Sequence, residues 1–265
     1  MWKSVGASGS ANNWAFGYYR QGQALGECAL EMLRREAEEC DRMSGLLFLQ
    51  SLAGGTGSGA GSRISEMVRD EYPCCFIFHA AVWPSRRSEV IVQSYNAVLS
   101  LAHVLESTDA VLALQNDEAH DICQRRLGIA RPSLQHLNSV LAGSLAELWL
   151  PCVPASASAT YLGDSGGRAT SVEMGDVVAT ACPSPLHKIL SVRSAPHMSQ
   201  QAIPFSNIAW PGTLTNLRQM VSTHDPIPCL FACVSCCVCL LKRQRRGAMC
   251  TCLGCIGGSI MCRGV

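Results

Sequence analysis

The stretch that most restricts how this chain can fold is LAGGTGSGAGS, from Leu52 to Ser62. Glycine occupies four of the six positions between Gly54 and Gly59. The apolar run GLLFLQSLA leads into this stretch, and the amphipathic run SRISEMVRDEY follows it. A buried strand, a glycine loop and a helix in this order predict an anion site. The first backbone N–H groups of the helix point into the loop, and the helix dipole is positive there.

Apolar and amphipathic runs alternate along most of the chain, which predicts an α/β fold with a parallel sheet flanked by helices. Ligands of such sheets bind at the carboxyl ends of the strands, where the glycine loop lies. We predict strands at 45–53, 74–82 and 109–116, and helices at 25–41, 62–72, 95–107, 117–127 and 133–150.

The pattern changes after residue 150. Residues 151–182 are rich in Ser, Ala, Gly and Thr and predict a loop or linker. Order returns over 183–221, where LHKILSVRSAPHMS indicates a strand and LTNLRQMV a helix, the start of a second α/β domain. Residues 222–265 continue no earlier pattern, and we predict a disordered tail.

Composition limits the class of partner and compartment. A formal net charge of +1 gives no basic surface field of the kind that nucleic acid needs, so we expect no nucleic-acid partner. The start, MWKSVGASGS, lacks the apolar segment of a secretory signal, which favours a cytosolic chain. The sequence contains 16 cysteines, and nine of them lie between Cys229 and Cys262.

Three interpretations of this cysteine-rich segment remain open. Cys233, Cys236, Cys252 and Cys255 have the spacing of a four-cysteine zinc site. Acylated cysteines beside the basic run KRQRR would instead give a membrane contact, although the apolar stretch 229–241 is too short to span a bilayer. The third interpretation is that these residues do not belong to the fold at all and are the product of an alternative exon, a retained intron or a gene-model error.

Common templates do not fit the glycine loop. A P-loop requires Lys and then Ser or Thr after its last glycine, whereas Ala60 and Gly61 follow here. The dinucleotide fingerprint G-x-G-x-x-G fails in both registers, because its sixth position is Ala60 or Ser62. A tight turn without a ligand is the alternative. The histidines show no H-E-x-x-H spacing, and we assign no metal ligand.

The loop GGTGSG on a strand-to-helix turn resembles the signature loop of the tubulin and bacterial cell-division GTPase superfamily. ANNWAFGYY lies upstream of it, and EVIVQSYN and NDEAHDIC follow downstream, in the order of that family. Within the superfamily the motifs are most similar to the delta-tubulin branch, over roughly residues 4–221. The family's first strand and two further phosphate and magnesium loops would precede this region, and most of its carboxyl-terminal half would follow.

This resemblance implies a set of nucleotide-binding residues. Asn12 would lie in a second phosphate loop, and Glu89 would contact the ribose, because Gln93 replaces the family's usual glutamate. Asn116 and Asn138 would recognise guanine, whereas Leu134 replaces an aromatic ring that stacks on the base. The phosphates would be held by Gly54, Gly55, Thr56, Gly57, Ser58 and Gly59.

The resemblance also implies a function. The ligand would be GTP or GDP, with Mg²⁺ as a candidate companion ion. Asp176 stands where the family has the acid that promotes hydrolysis on a neighbouring subunit. Domain 1–150 would be a partial GTP-binding domain and 183–221 the start of the intermediate domain. Since several family loops would lie outside this sequence, we expect weak or no GTP binding by the isolated chain.

Expected partners are other tubulins or centriolar proteins. The expected locations are the cytoplasm, the cytoskeleton, the centriole and the cilium, with the nucleus as a further candidate, and we expect no transmembrane segment. The alternative function is that of a non-enzymatic interaction or zinc-binding protein, which uses the cysteine-rich tail and keeps the tubulin-like part as a scaffold.

Overall fold

A computed structural model describes residues 9–86, 90–150, 173–182, 184–198, 202, 210–223, 237–239 and 250–255. The chain divides into two compact units. The first contains Met1–Asp117 and Ser184–Ile189, and the second contains Glu118–Pro183 and Leu190–Val265.

Helices and strands alternate along the chain as predicted. The helices are α1 (Trp14–Phe16), α2 (Gln23–Glu38), α3 (Gly61–Glu71), α4 (Gln93–Ser107), α5 (Asn116–Arg125), α6 (Leu134–Trp149), α7 (Met174–Ala181) and α8 (Trp210–Thr223). Two π-helical segments, Gly17–Gly22 and Thr56–Ala60, precede α2 and α3. The strands are β1 (Gly45–Ser51), β2 (Phe76–Trp83), β3 (Ala110–Gln115), β4 (Ile189–Ala195), β5 (Cys237–Cys239) and β6 (Cys250–Cys255).

The first unit is built on a parallel sheet in which β1 pairs with β2 and β2 pairs with β3. Val111 N–H in β3 also donates to Lys188 O at 2.8 Å, so the sheet continues beyond β3 at residues 188–189. The Lys188 ammonium donates to Leu105 O and Thr108 O, which caps the carboxyl end of α4. This architecture confirms the predicted α/β class with helices flanking a parallel sheet.

The core of this unit lies between the sheet and α4. Buried Leu52, Ala81, Ala97, Val104 and Val111 pack together, because the continuous apolar runs of β2 and β3 leave no polar face. One polar side chain, His79, is nonetheless fully buried in β2. Its Nε2 lies 2.9 Å from Ser65 Oγ of α3, and burial lowers the pKa of His79 to about 3, so the imidazole is neutral at physiological pH.

Glycine allows the helical region before α2 to pack directly on the one before α3. A Cβ on Gly17 would overlap Gly55 O, and a Cβ on Gly59 would overlap Trp14 O and stand 2.8 Å from Tyr18 N. More than two turns further along, a Cβ on Gly26 would overlap the sulfur of Met67. The two backbones are therefore too close for any side chain to fit between them at these positions.

Aromatic and ionic contacts close the same helix pair. Trp14 stacks on Tyr18 with ring centroids 4.7 Å apart and on His103 of α4 at 4.9 Å. Glu66 of α3 accepts a 2.5 Å hydrogen bond from Tyr18 Oη and lies 2.6 Å from His103 Nδ1. Burial and the Glu66 carboxylate raise the pKa of the Tyr18 phenol above its ordinary value. Tyr18 is therefore a neutral donor that links the first helical region to α3.

The first helical region begins earlier than the sequence predicted. Periodicity placed a helix over 25–41, whereas the structure is helical from Trp14 through the π-helical segment to Glu38. Asn13 starts it, with Oδ1 accepting from Phe16 N–H at 3.3 Å. Hydrophobic periodicity does not detect this part of the helix, because Gly17 and Gly22 have low helix propensity. They are accommodated because they allow close packing on the neighbouring segment.

The second unit contains α6, α7, α8 and an antiparallel set of strands in which β6 pairs with both β4 and β5. Arg193 of β4 is 3% exposed and pairs with Glu118, so its charge is balanced inside the unit. Ser133 and His136 form a capping box that begins α6. Of the predicted linker, 151–182, residues 151–172 lie outside the described residues, whereas Met174–Ala181 form the helix α7 and not a loop.

The packing predicts opposite effects for one substitution at two helical glycines. Gly59→Ala should lower the free energy of unfolding by about 1–3 kcal/mol or more, because the new methyl group meets backbone atoms that cannot rotate away. Gly143→Ala in α6 should be neutral or stabilising by up to about 1 kcal/mol, since nothing lies within 4 Å of its Cβ position. Urea unfolding of both variants measures the difference. Equal, small effects would contradict the close helix contact.

Candidate functional site

The carboxyl ends of the three parallel strands lie side by side. Ser51 of β1 pairs with Val82 of β2, and Val82 pairs with Leu114 of β3. The glycine loop follows β1 and Asn116 follows β3, so both leave the same edge of the sheet. With neighbouring strands about 4.8 Å apart, β1 and β3 are separated by roughly 10 Å. A nucleotide can lie across such an edge.

The glycine loop is short and turns quickly into a helix. The chain bends at Leu52–Gly54, and the π-helical segment begins at Thr56. Ser58 Oγ donates to Gly54 O and thereby fastens the start of the segment. The first N–H groups of a helix have no partner within it, so this end offers backbone donors and a positive dipole to an anion. No Lys or Arg occurs between Leu52 and Ser62.

The loop glycines differ in what surrounds them. A Cβ on Gly55 would stand 2.5 Å from Asn13 N, and one on Gly57 would stand 2.9 Å from Ser51 O, so both are required by packing. Gly54 has space, since the nearest atom to its Cβ position is Asn12 Oδ1 at 3.7 Å. The open approach to the helix start therefore lies over Gly54, beside the Asn12 amide.

Asn12 occupies a tight turn opposite this approach. Asn13 N–H donates to Ser10 O at 2.8 Å across a turn in which Ala11 and Asn12 have φ of 47° and 58°. Two successive left-handed residues are typical of a type I′ turn, where Asn is favoured. Ser10 N–H donates to Thr56 Oγ1 at 3.2 Å, and the two hydroxyls lie 2.9 Å apart. The structure thus brings together Asn12 and the glycine loop, as the sequence predicted.

Asn96 of α4 also joins this arrangement, and the sequence analysis did not select it. Its Nδ2 donates to Asn12 O at 2.8 Å and to Ala53 O at 2.9 Å, and its Oδ1 accepts from Trp14 N–H at 3.3 Å. The available signal was the YN pair in EVIVQSYN, which served only to recognise the family.

The loop after β2 is held by side chains from its neighbours. Asp117 accepts from Ser85 Oγ at 2.7 Å and from Arg86 N–H at 3.0 Å, while Gln93 Nε2 donates to Ser85 O at 3.2 Å. Asp117 is a second residue that sequence reasoning missed, although it follows Asn116 directly. Glu89, the predicted ribose contact, lies outside the described residues.

The predicted base-binding and catalytic residues are distributed between the units. Asn116 is half-buried at the first position of α5, in the first unit. Asn138 lies on α6 and Asp176 in the first turn of α7, both in the second unit. Asp176 is exposed. Leu134 is 73% exposed at the start of α6.

The described residues of the tail show neither a metal site nor a membrane span. Cys233 and Cys236 of the predicted zinc set lie outside them, and the described part of the chain holds no group of three His, Cys, Asp or Glu side chains arranged for a metal ion. In the same residues no helix has the length and apolar character needed to cross a membrane.

The geometry suits an anion such as the phosphate groups of a nucleotide. Backbone N–H donors, the open space over Gly54 and the Asn12 amide converge at one point of the sheet edge. Residues 4–124 match the model of the Tubulin/FtsZ family GTPase domain. The chain belongs to the tubulin superfamily.

The relatives place it near one branch of that superfamily. The chain is 38% identical to the tubulin delta chains of Macaca fascicularis and Homo sapiens, over 82% of its own length and 46% of theirs. It is 31% identical to the tubulin beta-1 chain of Chondrus crispus, over 84% of its length and 48% of the relative's. The chain therefore spans about half the length of the curated relatives it matches, and its likeness is greater to delta-tubulin.

The site predicts that Gly54→Ala separates binding from folding. A methyl group on Gly54 has room in the fold but fills the approach to the helix start, so nucleotide affinity should fall at least about tenfold while stability changes by less than about 0.5 kcal/mol. Equilibrium dialysis with GTP and thermal unfolding measure the two quantities. Unchanged affinity in a stable variant would place the phosphates elsewhere.

Proposed function

We propose that this chain is a delta-tubulin-like, guanine-nucleotide-binding protein of the cytoskeleton that contributes to microtubule-based processes and to centriole and cilium organisation. The single observation that supports nucleotide binding most is the open helix start at Gly54, which faces the Asn12 turn. The resemblance to tubulin delta chains supports the cellular role. Proposed locations are the cytoplasm, the cytoskeleton, the centriole and the cilium, with the nucleus as a further candidate.

Gly54, Gly55, Thr56, Gly57, Ser58 and Gly59 would surround the phosphates, Asn12 would add an amide, and Glu89 would contact the ribose. Asn116 and Asn138 would recognise guanine, because an amide can both donate to and accept from the edge of the base. The bound nucleotide would supply the terminal phosphate that makes assembly responsive to hydrolysis. The proposed partners are other tubulins and centriolar proteins.

Asp176 is proposed to act on a nucleotide held by a neighbouring subunit, where it would orient the attacking water. Its exposed position in the first turn of α7 supports an intermolecular role. In this proposal a lone subunit binds nucleotide without turning it over. The GTPase step then depends on contact between subunits.

Nucleotide selectivity tests the proposed function. Equilibrium dialysis of the purified chain should show GTP and GDP binding with dissociation constants weaker than about 1 μM, since the loop carries no lysine. ATP should bind about ten- to a hundredfold more weakly, because the Asn amides would be left facing an edge that does not match them.

Asn116→Ala and Asn138→Ala provide the matched comparison. Each should reduce the preference for GTP over ATP and leave ATP binding unchanged, because neither side chain is proposed to contact phosphate. Equal binding of GTP and ATP by the unaltered chain, or no binding of GTP at millimolar concentration, would contradict the proposed function.

A further inference from the structure

We propose that Asn96 is a positioning residue that sets the separation between the Asn12 turn and the glycine loop before nucleotide arrives. The inference rests on the proposed function for its purpose, although the contacts themselves are independent of any ligand. Asn96 touches neither the open space over Gly54 nor any residue proposed to hold the base. Its role would be to hold the Asn12 turn and the glycine loop, which border that open space.

The amide of Asn96 is fully used. Its two N–H donors are directed to Asn12 O at 2.8 Å and Ala53 O at 2.9 Å, and its oxygen accepts from Trp14 N–H at 3.3 Å. The side chain is 4% exposed, so water does not compete for these bonds. One planar group therefore fixes three backbone points: one in the Asn12 turn, one at the start of α1 and one just before the glycine loop.

Two of these points, Asn12 and Ala53, lie next to the proposed phosphate position. Ala53 directly precedes Gly54, the loop residue with open space, and the Asn12 side chain lies opposite it. Trp14 begins the first helical region, in which Gly17 packs on Gly55 of the glycine loop. A change in the distance between Ala53 O and Asn12 O would therefore change the width of the opening.

The helix that carries Asn96 is itself anchored to the glycine loop. One turn along α4, Ser100 Oγ donates to Ser58 O at 3.2 Å and lies 3.1 Å from Ser62 Oγ. Ser62 Oγ donates to Ser58 O as well, at 2.6 Å. Val104, one further turn along, is fully buried in the core. Asn96 thus extends from a rigid support.

Aspartate at this position isolates the proposed role, because it has the shape of asparagine but no N–H donors. In Asn96→Asp one oxygen can still accept from Trp14 N–H, whereas the other would face the carbonyl oxygens of Asn12 and Ala53. Repulsion should then separate the turn from the loop. Asn96→Ala removes all three bonds without adding repulsion and serves as a second variant.

Ser107→Ala is the matched control on the same helix. Ser107 is buried, and its Oγ lies 2.9 Å from Ser65 Oγ, far along α4 from the glycine loop. Its removal also costs a buried hydrogen bond and should lower the unfolding temperature in a similar way. It should leave the opening unaltered.

Hydrogen exchange of the full chain without nucleotide is the decisive measurement. In Asn96→Asp and Asn96→Ala, amides in the segments 10–14 and 53–56 should exchange at least about tenfold faster than in the unaltered chain, and Ser107→Ala should leave them unchanged. GTP affinity, measured in parallel, should fall about tenfold in the Asn96 variants alone.

The two readouts separate the outcomes. If the unaltered chain binds no GTP, the proposed function fails, while exchange in these segments still tests the positioning role. Unchanged local exchange in the Asn96 variants, or the same increase in Ser107→Ala, would overturn it. Loss of the fold in both Asn96 variants, with Ser107→Ala folded, would also overturn it, because Asn96 would then be a general structural residue.

Discussion

The close contact between the two glycine-containing helical regions is the interaction on which the rest of the first unit depends. Gly17 and Gly59 each meet the backbone of the opposite region, so the two helical segments approach each other without side chains between them. This approach places the Asn12 turn beside the glycine loop and allows Ser10 to bond with Thr56. Three of the four glycines from Gly54 to Gly59 are therefore required by close packing. Gly54 alone among the four has open space for a ligand.

Buried polar side chains of α4 stabilise this arrangement. Asn96, Ser100 and Ser107 are all buried, and each bonds to a group near the glycine loop or on α3. Buried polar groups stabilise a structure only when they are satisfied, and satisfied networks favour one arrangement over others. The proposed phosphate site is therefore supported by a neighbouring helix as well as by its own loop.

Sequence patterns predicted the parallel sheet well, because the apolar runs of β2 and β3 are continuous and the glycine loop marks the end of β1. They did not predict the helical region before Gln23, since its glycines lower helix propensity and are explained only by close contact with Gly55, Gly59 and Arg63. Asn96 was missed for a related reason. Its partners Asn12 and Ala53 are remote in sequence, and a single asparagine on a helix gives no local sign of contacts to two loops.

The central claim is that phosphate binds at the helix start beside Asn12, and an amide-resolved NMR titration of the ¹⁵N-labelled chain with GTP tests it most directly. The account predicts that the largest shifts fall on the backbone amides of Gly54, Gly55 and Thr56 and on the side-chain amide of Asn12. Saturable shifts located elsewhere, with these four groups unmoved, would contradict it.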